Sequence, residues 1–214
     1  YEAEDTYGKV HIYALPFVKA SQVRRYYPDA EINSYADAVR EVLTQAQIDP
    51  DARNILVAHQ FVSGKDVDPE LGGSESVMTQ HVGTVEKIGY DLFDAFNYVA
   101  LGHIHGPQKV KYPHIRYCGT PLKYSLSEEK QEKSITMVTL GEKGTEPLIE
   151  TLPLHPMRDV RRVKGTLEEV LKKAEEEGSG DFVSVTLTDE EELYRPGERL
   201  QKAYDYLLDY RMEN

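Results

Sequence analysis

Two histidines stand two positions apart, directly after an apolar stretch of strand length. His103 and His105 follow the run 98–101, and glycine occupies positions 102 and 106 on either side of the pair. Residues two apart in extended backbone project to the same side, so these imidazoles can share one metal ion or each bind one ion of a pair. The pattern predicts a metal site, with hydrogen-bonded structural histidines as the alternative.

A third histidine ends another predicted strand. His59 follows the largely apolar stretch 53–58, which is typical of a strand buried on both faces. The carboxyl ends of neighbouring strands in an open α/β sheet meet at one crevice, so we expect His59 to lie near His103 and His105. Alone, a histidine at a strand end is more often a hydrogen-bonded surface residue. Four further histidines lack this context and are expected to be structural: His11, His81, His114 and His155.

Alternating strand and helix patterns must position these side chains. The predicted elements are strands over 9–16, 53–58 and 96–101 and a helix over 33–48, which Asn33 or Ser34 would cap. Strand, helix and strand in this order indicate an α/β layer with the helix packed on the sheet. Residues 60–80 have low periodicity and many glycines and serines, and a loop of this length in a compact domain is more often functional than idle.

Further strand patterns follow, and the chain then begins a second strand–helix series. The first set comprises predicted strands over 108–112, 114–118, 134–140 and 147–152, the last two joined by a hairpin turn at 141–144. The second set comprises a strand over 158–164, a helix over 166–177, a strand over 181–188 and a helix over 196–208. We therefore place a domain boundary near residue 152, giving a first domain over 1–152 and a small α/β domain over 153–214.

Composition limits the classes of function. The 214 residues carry 25 Lys and Arg against 37 Asp and Glu, a net charge of −12, which argues against coating nucleic acid by bulk charge but not against a nuclease with metal ions. No apolar run approaches the roughly 20 residues of a membrane helix, so no membrane partner is expected. The single cysteine, Cys118, excludes an internal disulfide framework and indicates a cytoplasmic protein; we expect it to be buried in a strand.

One segment of this acidic chain carries more basic than acidic residues. Residues 109–133 carry six basic residues against three acids, a local excess that hints at phosphate contact. The basic residues are Lys109, Lys111, Arg116, Lys123, Lys130 and Lys133.

Several of these segments together resemble a known family. The stretch 97–105 (NYVALGHIH), followed by 116–125 (RYCGTPLKYS), is similar to the SbcD family of bacterial DNA-repair nucleases, within the calcineurin-like metallophosphoesterase superfamily. Residues 55–59, 82–86 and 153–160 fit the same family. Gly-His-x-His is shared by the whole superfamily, whereas Arg-Tyr-Cys-Gly-Thr-Pro narrows the resemblance to SbcD, which extends over nearly the whole chain.

The resemblance implies a fold, an activity and partners. Residues 1–152 would form the second half of a phosphoesterase β-sandwich flanked by helices, and 153–214 part of a DNA-recognition capping domain. His59 and His103 would bind one divalent metal ion and His105 a second, with Mn²⁺ expected, because imidazole suits manganese better than magnesium. The implied enzyme is an ATP-dependent double-strand DNA exonuclease and hairpin endonuclease of repair and recombination. Its expected partners are an SbcC-like ATPase, the ends and hairpins of DNA, and a second copy in a homodimer.

The chain also departs from this family. The earlier motifs Asp-x-His, Gly-Asp-x-x-Asp and Gly-Asn-His, which carry the remaining ligands and a catalytic histidine, do not occur in residues 1–214. We therefore expect that this span contains no catalytic residue and that the fragment alone is inactive. The missing motifs are expected upstream of Tyr1, and further capping-domain sequence is expected after Asn214. The alternatives are a phosphoesterase acting on nucleotides or phosphoproteins, and a degenerate module that only binds.

Overall fold

A computed structural model describes residues 1–64, 68–71, 87–178 and 180–213. Within these ranges the chain has four α-helices and thirteen strands, which confirms the predicted α/β class. The described residues divide into two compact units, Tyr1–Pro121 with Glu132–Leu154, and Leu122–Gln131 with His155 onward. No helix in the ranges described is long and apolar enough to cross a membrane.

The first unit is built on a six-stranded sheet in the order β1-β2-β3-β6-β8-β7. Its strands are β1 (Glu2–Asp5), β2 (Gly8–Leu15), β3 (Arg53–His59), β6 (Tyr98–Gly102), β7 (Gln108–Val110) and β8 (Tyr112–Tyr117). The four central strands β2, β3, β6 and β8 run parallel, and β1 and β7 pair antiparallel at the edges. The carboxyl ends of β3 and β6 therefore lie side by side, as predicted.

Helices and short strands complete this unit. They are α1 (Ala20–Tyr26), α2 (Tyr35–Gln45), the parallel pair β4 (Val62–Ser63) and β5 (Ile88–Gly89), and the antiparallel pair β9 (Ser134–Thr139) and β10 (Leu148–Pro153). Ser34 caps α2, because its hydroxyl accepts a hydrogen bond from the Asp37 backbone N–H at 3.0 Å. The core joins α2 to the sheet through side chains that include Val39, Leu56 and Val99, each with no exposed surface.

The second unit has a smaller parallel sheet in the order β11-β12-β13. Its elements are β11 (Val160–Gly165), α3 (Leu167–Glu177), β12 (Phe182–Leu187), α4 (Pro196–Ala203) and β13 (Tyr206–Met212). Its core includes Val170, Val183 and Leu200, each with no exposed surface.

Two sequence-based expectations are wrong, one in each unit. The helix predicted over 196–208 ends at Ala203, and residues 206–212 form β13, since pairing with β12 from Phe182↔Tyr206 onward outweighs helical spacing. Cys118 is exposed rather than buried, because it follows β8 instead of lying within it. Of the loop predicted over 60–80, positions 65–67 and 72–80 lie outside the described residues, as do His81 and the family segment 82–86.

Candidate metal centre

The site begins where β3 and β6 end beside each other. In the parallel register of these strands, His59 is the partner of Gly102. A Cβ atom added to Gly102 would lie 2.8 Å from Nδ1 of His59, closer than real Cβ atoms approach another heavy atom. Glycine at position 102 therefore leaves the space that the His59 imidazole occupies.

His103 follows immediately, in a strained backbone conformation. Its φ of +96° lies in a region that residues with a side chain rarely adopt, and such strain is held in place only by the surrounding structure. The edge of the His59 ring meets the His103 ring, with centroids 5.4 Å apart and planes at 86°. The structure thus brings these two predicted ligands together.

Two phenylalanines enclose the His103 ring further. Phe61 meets it edge-on with centroids 5.9 Å apart, and Phe17 lies nearly parallel to it, at 8° and 6.5 Å. Phe17 itself contacts Tyr35 of α2, with centroids 5.6 Å apart. The imidazole therefore packs between two aromatic rings, which favour its observed orientation.

A buried polar network supports the chain directly after His59. The fully buried Gln60 donates from Nε2 to the Pro16 carbonyl at 2.8 Å and accepts a hydrogen bond from the Tyr35 hydroxyl. The Tyr117 hydroxyl accepts from the Val62 N–H at 2.7 Å and donates to the Gln60 carbonyl at 3.1 Å. Burial raises the pKa of both tyrosine hydroxyls, so they stay protonated and keep this network intact at neutral pH.

His105 is anchored through its backbone. The preceding Ile104 is buried at 1 % exposure, and the His105 carbonyl accepts hydrogen bonds from the Thr120 N–H and from Nζ of Lys133, both at 3.0 Å. Gly119 makes this approach possible, because its φ is +76° and a Cβ atom there would lie 2.7 Å from the His105 carbonyl oxygen. The turn after β8 thus closes over His105.

The three predicted ligands do not form a metal site by themselves in the part of the chain that the structure describes. Among the residues the structure describes, no group of three or more His, Cys, Asp or Glu side chains converges so as to hold a metal ion. His59 and His103 fit as a pair of imidazole ligands for a transition ion, while His105 is not grouped with them. Completing a coordination shell at this pair requires donors beyond those three histidines.

Sequence reasoning missed the residues that enclose the pair. Phe17 comes two residues after the end of β2, a neighbour of β3 in the sheet, so its place near the pair follows from the strand order in the structure. Two of the six basic residues expected to contact phosphate are engaged within the protein instead. Lys133 is 3 % exposed, and the Lys123 side chain, 10 % exposed, pairs with Asp159 at 2.8 Å.

Comparison with known proteins shows two similarities. Residues 156–213 match the SbcD_C family model, described as the type 5 capsule protein repressor C-terminal domain. The chain is 30 % identical over 203 residues to the SbcD component of the nuclease SbcCD from Staphylococcus epidermidis (strain ATCC 12228 / FDA PCI 1200). This chain is similar to SbcD. The match covers 93 % of the chain and 52 % of the relative, so the chain spans about half the length of the curated relative it matches. The SbcD resemblance predicted from the sequence is confirmed.

Proposed function

We propose that this chain supplies histidine ligands to the metal centre of a DNA nuclease that works with an SbcC-like ATPase. The single observation that carries the proposal is the pairing of His59 and His103 across Gly102, at the carboxyl ends of two adjacent parallel strands. The SbcD homology supports the same function. DNA ends and hairpins are the proposed substrates, in repair and recombination, and the cytoplasm is the proposed location.

His59 and His103 would hold one divalent metal ion, with Mn²⁺ the proposed species, and His105 would serve a second. When bound, such ions polarise a phosphate ester and lower the pKa of a bound water. The chain's own contribution is to orient the imidazoles. Gly102 gives space to His59, and Phe17 and Phe61 fix the His103 ring.

Alanine substitution of the histidines in the complete protein tests this function. We expect His59→Ala, His103→Ala and His105→Ala each to lower Mn²⁺-dependent cleavage of double-stranded ends at least 100-fold, because each removes a ligand. His155→Ala is the matched control, since His155 is exposed in the second unit. Near-normal cleavage by the three variants would overturn the metal assignment.

The same purified proteins distinguish the proposed DNA nuclease from the two alternative functions. Hydrolysis of nucleotides or phosphopeptides without cleavage of DNA would favour a small-substrate phosphoesterase. DNA binding without hydrolysis of any phosphoester would favour a binding module. We expect residues 1–214 alone to show no Mn²⁺-dependent hydrolysis, because the earlier ligand motifs of the family do not occur in this sequence.

A further inference from the structure

Lys133 is a basic residue that the structure turns away from solvent. It directly precedes β9 and is 3 % exposed, although lysine is almost never fully buried unless its ammonium is paired. Its Nζ donates to the His105 carbonyl at 3.0 Å and to Oγ1 of Thr120 at 2.9 Å. An ammonium in this position serves the interior of the first unit and is not available to a phosphate in solution.

The oxygen that Lys133 contacts belongs to the backbone of a proposed ligand. The His105 carbonyl receives the Lys133 ammonium and the Thr120 N–H at the same distance, with Gly119 closing the turn behind it. A hydrogen bond from a charged donor is roughly twice as strong as one between neutral groups. The position of the His105 backbone is therefore tied to the start of β9, 28 residues further along the chain.

Lys123, a second lysine of low side-chain exposure, has contacts that are structural only. Nζ of Lys123 donates to the Glu129 carbonyl at 2.6 Å and pairs with Asp159, and these partners all belong to the second unit. None of these contacts involves His59, His103 or His105. Lys123 and Lys133 thus share chemistry and low exposure and differ in whether they touch a proposed ligand.

We propose that Lys133 is a positioning residue for His105, acting through the His105 carbonyl to set the direction in which the imidazole leaves the backbone. The inference rests on the proposed function, because it matters for hydrolysis only if His105 binds metal. Thr120 shares the role, since its hydroxyl accepts from Lys133 and its N–H donates to His105.

The test uses Lys133→Met and Thr120→Val in the complete protein, with Lys123→Met as the matched control. Co²⁺ titration followed by visible absorption measures metal affinity. Nitrogen-15 NMR of the His105 imidazole in the metal-free protein, recorded below the unfolding temperature, reports the environment of the ring directly.

We expect Lys133→Met to weaken Co²⁺ binding at least tenfold and to shift the His105 resonances. A loss of this size is the usual effect of removing a group that orients a ligand. Thr120→Val should change both readouts in the same direction by less, and it serves as the probe if Lys133→Met does not fold.

The control variants distinguish the positioning role of Lys133 from the proposed function on which it rests. Lys123→Met should lower the unfolding temperature and leave Co²⁺ affinity within about twofold, because it breaks a structural contact only. Wild-type affinity and unchanged His105 resonances in Lys133→Met and Thr120→Val would overturn the positioning role alone, provided that His105→Ala weakens Co²⁺ binding. Unchanged Co²⁺ binding in His105→Ala would overturn the proposed function and this inference with it.

Discussion

At the scale of single residues, the end of β6 places Gly102, which has no side chain, directly before His103, whose backbone is strained. Gly102 accommodates the ring of His59, and His103 adopts a φ of +96° directly afterwards. Strain of this kind costs on the order of 1–3 kcal/mol and persists where the surroundings hold it; here the His103 ring packs against Phe17 and Phe61. The cost supports a functional rather than a purely structural role for the histidine pair.

Replacing Gly102 with alanine isolates the space that His59 needs. We expect Gly102→Ala in the complete protein to weaken Mn²⁺ binding about tenfold, because the new Cβ atom displaces the His59 ring. The free energy of unfolding should change by less than about 1 kcal/mol, since alanine is the better strand residue and the displaced ring is an exposed side chain. Isothermal titration and thermal unfolding measure the two effects. Gly180→Ala is the control, because a Cβ atom there has open space; equal metal affinity in both variants would contradict the assignment.

The sequence predicted that His59 approaches His103, but it also placed His105 with them and did not indicate what surrounds the pair. His59 and His103 could be placed together because residues that end adjacent parallel strands share one sheet edge. The residues around the site come from other parts of the chain. Phe17 lies in a loop, Phe61 directly follows Gln60, and Lys133 directly precedes β9. Contacts of that kind depend on tertiary packing, which spacing along one chain does not encode.

At the scale of elements, local patterns worked where they agreed with the tertiary contacts. The strand β2, the capped helix α2 and the helix α3 all form close to where hydrophobic periodicity predicts them. The helix predicted through residue 208 is wrong because Tyr206 and Tyr210 suit a strand, and β12 offers its edge for pairing. Strand β1 and helix α1 escaped prediction, since neither strand β1 nor the seven-residue α1 carries a strong apolar pattern.

One side chain joins several elements of the first unit. Arg53, at the start of β3 and 2 % exposed, binds the Asp5 carboxylate at the end of β1. It also donates to the Gly8 carbonyl at 2.8 Å and to the Gly141 carbonyl at 3.1 Å. Arg53 therefore joins the β1–β2 hairpin, strand β3 and the turn after β9. This junction lies at the amino end of β3, opposite the end that carries His59.

This junction predicts a pH dependence of stability. The hydrogen bond from Arg53, with a second from the Tyr7 N–H, holds the pKa of Asp5 below its ordinary value. A carboxyl whose pKa is lower in the folded state stabilises the protein above the pKa of the unfolded chain, and this stabilisation is lost as pH falls through the folded-state pKa. We expect Asp5→Asn to unfold more easily than wild type in urea at pH 7, with the difference vanishing in strong acid. Asp29→Asn, at an exposed turn position, is the control; a difference that persists unchanged in acid would contradict the mechanism.

At the scale of the whole molecule, each unit has a hydrogen-bonded sheet and an apolar core of its own. The first core includes Leu56 and Val99, and the second includes Val183 and Leu200. Residues 122–131 belong to the second unit although the sequence places them between strands of the first. The SbcD_C match, over 156–213, falls within the second unit, whereas the histidine pair falls within the first. The histidine pair and the segment that matches SbcD_C thus lie in separate parts of the chain.

Helix caps make this separation measurable, because each unit has a helix that begins with a capping box. Ser34 and Asp37 exchange hydrogen bonds at the start of α2, and Thr166 and Glu169 do so at the start of α3. Replacing a capping Ser or Thr by Ala costs about 1 kcal/mol, which corresponds to roughly fivefold faster hydrogen exchange of amides that open with that unit. We expect Ser34→Ala to accelerate exchange in β6 and not in β12, and Thr166→Ala to do the reverse, as read by native-state exchange and NMR. Each variant is the control for the other, and equal acceleration in both sheets would show that the two cores unfold as one cooperative body.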